Sequence, residues 1–259
     1  MLQNLNFPGT ILTLEQEKLH KTLTDESRSA FRRYQNIVLS NTSFLQFVKY
    51  ELIIFLTSWI PGALGLIIRK KSYVMLLGSC GKNPVFGQNV VIRHGEKIRI
   101  GNNVIIEDNV VLDAKGNDNE GITINDNTFI GRNSVLSCKN GAIQIGSHVS
   151  LGMNCLIHSV DESKVIIGDE CPIAAFCYFI GGGNYHYEHT DLPIVQQGTY
   201  SKGGIIVENN VWIGAHVHIL DGVKIGTGSI IAAGAAVYRN IPKMSIAGGV
   251  PAKVVRRRI

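Results

Sequence analysis

The sequence predicts an all-β solenoid with a helical N-terminal extension, and three observations predict it. Residues 207–242 divide into six hexads: VENNVW, IGAHVH, ILDGVK, IGTGSI, IAAGAA and VYRNIP. Their first place is always a branched aliphatic (Val207, Ile213, Ile219, Ile225, Ile231, Val237), and their fifth is small or β-branched (Val211, Val217, Val223, Ser229, Ala235, Ile241). A six-residue period is neither the 3.6 of a helix nor the 2.0 of a strand, and it is the repeat of a β-helix, each hexad a short strand plus a corner. Second, the pattern recurs upstream from Phe86, in hexad pairs that start at Ile100, Ile124, Ile145, Ile167, Val207 and Ile225. Third, 28 glycines among 259 residues, with Asn and Asp at the hexad junctions, supply the residues that tight corners need.

The elements follow in order. Residues 1–43 are polar, and Thr13, Leu14, Glu15 and Gln16 read as a capping box opening a helix. Residues 44–68, FLQFVKYELIIFLTSWIPGALGLII, are the most apolar stretch, followed by Arg69, Lys70 and Lys71. A spanning helix needs about 20 mostly apolar residues. Lys49 and Glu51 interrupt early, and Pro61 and Gly62 break the run late. Two readings stand. One is a pair of short helices packed on the end of the solenoid. The other is an interfacial hairpin over 44–71, with Arg69, Lys70 and Lys71 on anionic lipid. The division is an N-terminal helical extension over 1–80 and a solenoid domain with a C-terminal cap over 81–259.

Successive hexad pairs start 24, 21, 22, 40 and 18 residues apart. Three hexads make one turn of a triangular prism, so every excess follows the third hexad, and one corner of the prism carries all the loops. The largest insertion is residues 181–204, GGGNYHYEHTDLPIVQQGTYSKGG. Loops on a rigid scaffold are where chemistry is placed.

The net charge of +5 does not by itself point to nucleic acid, and no nucleic-acid partner is expected. Five cysteines form no CxxC pair, and Cys155, Cys171 and Cys177 fall at fifth places of hexads. They read as core filler in a reducing cytoplasm, not as a disulfide framework or zinc site. Polar sequence follows Met1, so no signal peptide is read.

NNVWIGA at 209–215, IGTGSIIAAGA at 225–235 and AGGVPAKVVR at 247–256 resemble the hexapeptide-repeat acyltransferases over about residues 86–259. The apolar lead-in is similar to members found in bacterial surface-polysaccharide clusters. The resemblance implies a left-handed parallel β-helix, a homotrimer with sites between subunits, and transfer of an acetyl group from acetyl-CoA to a hydroxyl or amine. It implies polysaccharide biosynthesis at the cytoplasmic membrane face as the setting.

Such a transfer to a sugar hydroxyl needs a general base with a pKa of about 7, the range of histidine. The large loop offers His186 and His189. In relatives whose loop reads Asn-His-x-Phe-Asp-Arg-Thr-Asp, the base follows the Asn. Aligned on Thr190 and Asp191 that place is Tyr185, and His186 is one residue later. His186 is the expected base, with His189, Asp191 and Tyr185 as catalytic support; Asp191 either orients an imidazole or caps a turn. Carried over by position, the coenzyme arm runs past Gly214, Ala215 and Ala233, and Arg239, Lys253 and Arg256 meet its phosphates. Arg257 and Arg258 read as a solvated tail. His216 and His218 flank inward Val217 and face outward, and His94, His148 and His158 lie on separate coils. A metal site, as in the γ-class carbonic anhydrases of this fold, needs three converging histidines, and no metal is expected here. The readings held open are O-acylation of a saccharide, N-acylation of an amino sugar or small molecule, and a non-enzymatic or metal-binding scaffold.

Overall fold

The computed structural model describes residues 29–39 and 43–258. The capping box expected at residues 13–16 lies outside them. Three helices precede the solenoid: α1 (Ala30–Val38), α2 (Phe44–Thr57) and α3 (Gly62–Ser72). Ser43 caps α2: its Oγ accepts from Gln46 N at 3.4 Å, and Gln46 Oε1 accepts from Ser43 N at 3.3 Å. Pro61 separates α2 from α3, because a residue before proline is pushed out of the α region. A Cβ on Gly65 would collide with the carbonyl oxygen of Ile60, so glycine lets the two helices cross closely.

Both helices pack on the first coil. The Tyr73 ring lies 5.5 Å from that of Phe86. Arg69 does not face outward as the interfacial reading required. It is 2% exposed, and its guanidinium donates to the carbonyls of Phe86 (3.0 Å), Thr57 (3.1 Å) and Ile60 (2.7 Å). Capping the orphan carbonyls at the end of α2 wins over solvation. The opposite flank of α2 stays exposed, with Leu45, Leu52, Phe55, Leu56 and Trp59 along one stripe, continued by Leu64 and Ile67 of α3. Among the described residues no helix is long and apolar enough to cross a membrane.

From Ser79 the chain winds as a parallel β-solenoid of about eight turns. Its first face holds, in rung order, the strands Ser79–Cys80, Ile98–Ile100, Gly121–Ile124, Ala142–Ile145, Lys164–Ile167, Ile205–Val207 and Val223–Ile225. The second face runs from Val85–Phe86 through Trp212–Ile213 and Ile230–Ile231 to Ser245–Gly248, which Lys253–Arg257 closes as an antiparallel edge. The third runs from Val91–Arg93 through Leu156–Val160 and Tyr178–Gly181 to Ala236–Val237.

Passages from first to second face, and from second to third, take four residues on every turn. We call these the first and second corners. In each the third residue is left-handed, from Asn83 to Gly234, and the fourth is buried. The third corner alone varies, from residues 140–141 to residues 182–204. All twelve first and fifth places of the hexads over 207–242 are buried, Ile213, Ile219, Val211 and Val217 completely. Truncating such an isoleucine to alanine costs about 2–5 kcal/mol. Cys155, Cys171 and Cys177 fill the same inward places and are free thiols.

Candidate functional site

The first and second corners share a backbone path and differ in what covers it. In the first corner, the second residue of a rung is capped on four rungs by a side chain of the next. Lys82 N donates to Asn102 Oδ1 (2.8 Å), Asn102 N to Asp126 Oδ1 (2.7 Å), Ser147 N to Asp169 Oδ1 (2.7 Å), and Asp169 N to Asn209 Oδ1 (2.9 Å). Higher up, Thr227 N donates to Glu208 Oε2 at 2.8 Å. The Asn102 side chain and backbone N–H groups hold the Asp126 carboxyl below the usual range, because hydrogen bonds to the charged form favour it.

The second corner begins alike, with Gln88 N on Asp108 Oδ1 at 2.6 Å and Arg132 N on Glu107 Oε2 at 3.0 Å. Above that the caps stop. The second residues become Met153 and then Ala175, Ala215 and Ala233, and among the described residues their backbone N–H groups have no acceptor. A Cβ on Gly214 would sit 2.6 Å from Ala233 N, so only glycine allows these rungs to stack. A Cβ on Gly234 would meet nothing within 4 Å. The upper second corner is thus a strip of small residues with free donors. Gly214, Ala215 and Ala233, expected beside the coenzyme arm, all lie on it.

The basic residues expected to meet phosphates are exposed. Lys253 and Arg256 share the edge strand of the second face; Ala252, beside Lys253, donates its N–H to Ala236 O at 2.8 Å and so holds that strand next to the bare corner. Arg239 lies at the far end of the third face, away from that corner. Arg257 and Arg258 are not a solvated tail. Their guanidinium groups donate to Lys243 O (2.7 Å) and Gly228 O (2.9 Å), capping the end of the stack.

The large loop leaves the third corner as a short hairpin, Asn184–Tyr185 against Thr199–Tyr200. One buried carboxylate, Asp221, ties down both of its ends. It accepts from Asn184 Nδ2 (2.7 Å), Gly204 N (2.8 Å), Lys202 N and the Ser201 hydroxyl. Gln197 staples the tip, its amide donating to His189 O (2.7 Å) and Leu192 O (3.0 Å) and accepting from His189 N (3.0 Å).

His186 leans on the Tyr200 ring at 4.6 Å, and its Nδ1 is 3.6 Å from Glu188 Oε2. The backbone N–H groups of Glu188 and Tyr187, then His186, hold that carboxyl below the ordinary range. The carboxylate beside the imidazole is therefore Glu188, with Asp191 further along the exposed loop. His189 is used through its backbone. Tyr185 sits in the hairpin.

The remaining histidines separate. His216 stacks on Phe176, and His218 meets the Tyr178 ring edge-on at 5.9 Å. His94 is buried against Asp113, Nδ1 to Oδ1 3.3 Å. His148 lies in the first corner, and burial pushes the His158 imidazole down.

The repeats match known family models. Residues 204–239 match the bacterial transferase hexapeptide model (six repeats), and residues 79–114 and 121–159 match the hexapeptide repeat of succinyl-transferase. A galactoside O-acetyltransferase of Escherichia coli is 37% identical over 116 residues, 43% of this chain and 55% of that one. A probable acetyltransferase of Mycobacterium tuberculosis is 34% identical over 129 residues, 50% of this chain and 42% of that one. The chain thus spans about half the length of these curated relatives. An N-acyltransferase of Bacillus cereus, solved with dTDP and coenzyme A, superposes at a TM-score of 0.50 with 21% identity, over 74% of this chain and 90% of that one. That likeness is one of fold. By its repeats the chain is similar, over residues 79–114, 121–159 and 204–239, to the hexapeptide-repeat proteins that these models describe.

Proposed function

We propose that the protein is an acyltransferase that moves an acetyl group from acetyl-CoA to a hydroxyl of a saccharide acceptor. The observation that carries this reading is the bare second corner, where Ala175, Ala215 and Ala233 offer three successive unpaired N–H groups between a basic edge strand and the third face. Backbone donors need acceptors, and the amide carbonyls of a pantetheine arm are acceptors on a flexible chain. Lys253 and Arg256 meet the phosphates at one end, with Arg239 the outlying member of the set.

At the other end His186 takes the proton of the acceptor hydroxyl. The oxygen attacks the thioester carbonyl, the C–S bond breaks, and the thiolate leaves with the proton that His186 held. Glu188, on Nδ1, leaves Nε2 as the basic nitrogen. Within one prism the loop and the bare corner lie at opposite edges of the third face. A homotrimer brings one subunit's loop to its neighbour's corner. The outward column of the third face, Val91, Val111, Val135, Leu156 and Tyr178, is apolar and half-buried, which suits such packing.

The exposed stripe of α2 and α3, with Lys70 and Lys71 beside it, fits peripheral contact with the inner face of the cell membrane. Such contact gives sedimentation with phosphatidylglycerol vesicles and none with phosphatidylcholine vesicles in high salt; recovery in the supernatant of both contradicts it.

The test of the reaction is thiol release from acetyl-CoA with sugars and amino sugars as acceptors. An ester product supports the proposal. An amide product moves it to N-acylation, the alternative. Absence of CoA binding in calorimetry leaves only a scaffold role.

A further inference from the structure

The second corner also carries a ladder of left-handed third residues, and the ladder changes character at one rung. In order it reads Asn89, Asn109, Asn133, Asn154, Phe176, His216 and Gly234. The lower rungs join side chain to side chain, Asn89 Nδ2 to Asn109 Oδ1 at 3.4 Å and Asn109 Nδ2 to Asn133 Oδ1 at 3.1 Å. Asparagine suits this backbone, and a bulky aromatic does not. Yet Phe176 holds φ 61° and is 47% exposed. The His216 ring lies on it in parallel, centroids 4.9 Å apart and planes 2° apart. The next rung is Gly234, with no side chain and open space where a Cβ would be. A strained, exposed aromatic stack left open at its upper end is an outlier in an otherwise regular solenoid.

We propose that Phe176 and His216 form the platform on which the acceptor's pyranose ring stacks. The inference rests on the acyltransferase reading above. An arm descending from Lys253 and Arg256 along Ala233 and Ala215 meets the last of the alanine donors at Ala175, the neighbour of Phe176, and on the rung below the exposed side chain of Met153 ends the strip of small residues. The thioester therefore lies at the rung of Phe176, and the acceptor hydroxyl must arrive there. Pantetheine has no ring to stack, and the adenine end lies at the basic strand. The flat surface at the thioester end is thus available to the acceptor. A pyranose presents an apolar C–H face that an aromatic ring covers well.

Phe176→Asn tests this, because it restores the ladder residue in a backbone that asparagine adopts readily. Its melting temperature should equal or exceed that of the wild type. With methyl β-galactopyranoside and methyl β-glucopyranoside as probes, the acceptor KM should rise about three- to tenfold, the range of an aromatic contact. The acetyl-CoA KM should stay unchanged, and Phe176→Trp should restore the acceptor KM. An unchanged acceptor KM in an active Phe176→Asn enzyme would overturn the platform alone. So would a wild type that acetylates non-ring alcohols and neither pyranoside. A wild type that binds no CoA would overturn the acyltransferase reading and the platform with it.

Discussion

The first and second corners are two copies of one four-residue turn with opposite surfaces. The first is polar from bottom to top, and Asn102, Asp126, Asp169, Asn209 and Glu208 close the backbone donors of Lys82, Asn102, Ser147, Asp169 and Thr227. The second carries its last cap at Arg132 and above Met153 turns to alanine and glycine. The same backbone donor is paired within the fold when a carboxamide sits above it and left free for a ligand when a methyl does. The difference teaches that in a solenoid function is written by omission: the fold is held by every rung, so side chains can be left off one edge.

Removing His186, the proposed base, should have the largest effect. His186→Ala is expected to lower kcat by about 10²–10⁴-fold in the thiol-release assay, and retention of more than about a tenth of wild-type turnover would show that another group takes the proton. Next is conversion of the bare corner into its counterpart. Ala215→Asn places above Ala175 N the acceptor that Asn209 places above Asp169 N. It should weaken CoA binding at least about tenfold, equivalent to about 1.4 kcal/mol, while leaving the melting temperature unchanged or raised. The reciprocal change, Asn209→Ala, should cost about 1 kcal/mol in denaturant unfolding and leave CoA affinity as it was.

The smallest effect is on pH dependence. Lys224, 2.7 Å from Glu208, and then the Thr227 N–H and hydroxyl hold the Glu208 carboxyl at about 2. Because the folded value is depressed, the contribution is present above the unfolded value of about 4.3 and fades as pH falls from there toward about 2. The melting-temperature gap between wild type and Glu208→Gln should close over that window. A gap that persists at the acid end would mean that the glutamate acts by packing.

Much of the scaffold was legible because its information is periodic. Val207 through Ile241 announce their burial by recurring every six residues, and the spacing of the hexad pairs already assigned every insertion to one corner. The strip proposed for the coenzyme was legible only through the resemblance, since an alanine at a corner looks like any small residue until the rung above it is known. Rung neighbours are far apart in sequence where the loop intervenes. Phe176 meets His216 across forty residues, and Asp221 reaches back to Asn184 and Gly204. Asp221 stands in the Asp-Gly pair of the hexad ILDGVK, a turn signal, and nothing local says that a loop begins one rung below. In the interfacial reading of 44–71, Arg69 is a lipid-facing cation beside Lys70 and Lys71. Helix geometry turns it inward, onto the carbonyls at the end of α2. Glu188, rather than Asp191, meets His186, a choice set by loop conformation.

The central claim is that the bare second corner receives the coenzyme arm, and amide chemical shifts in ¹⁵N-labelled protein test it most directly. On addition of CoA, the amides of Ala175, Ala215 and Ala233 should shift downfield as their N–H groups gain acceptors, while those of Lys82, Ser147 and Asp169, already paired, should stay in place. Shifts of equal size in both corners, or none at Ala175, Ala215 and Ala233 with CoA bound, would contradict the account.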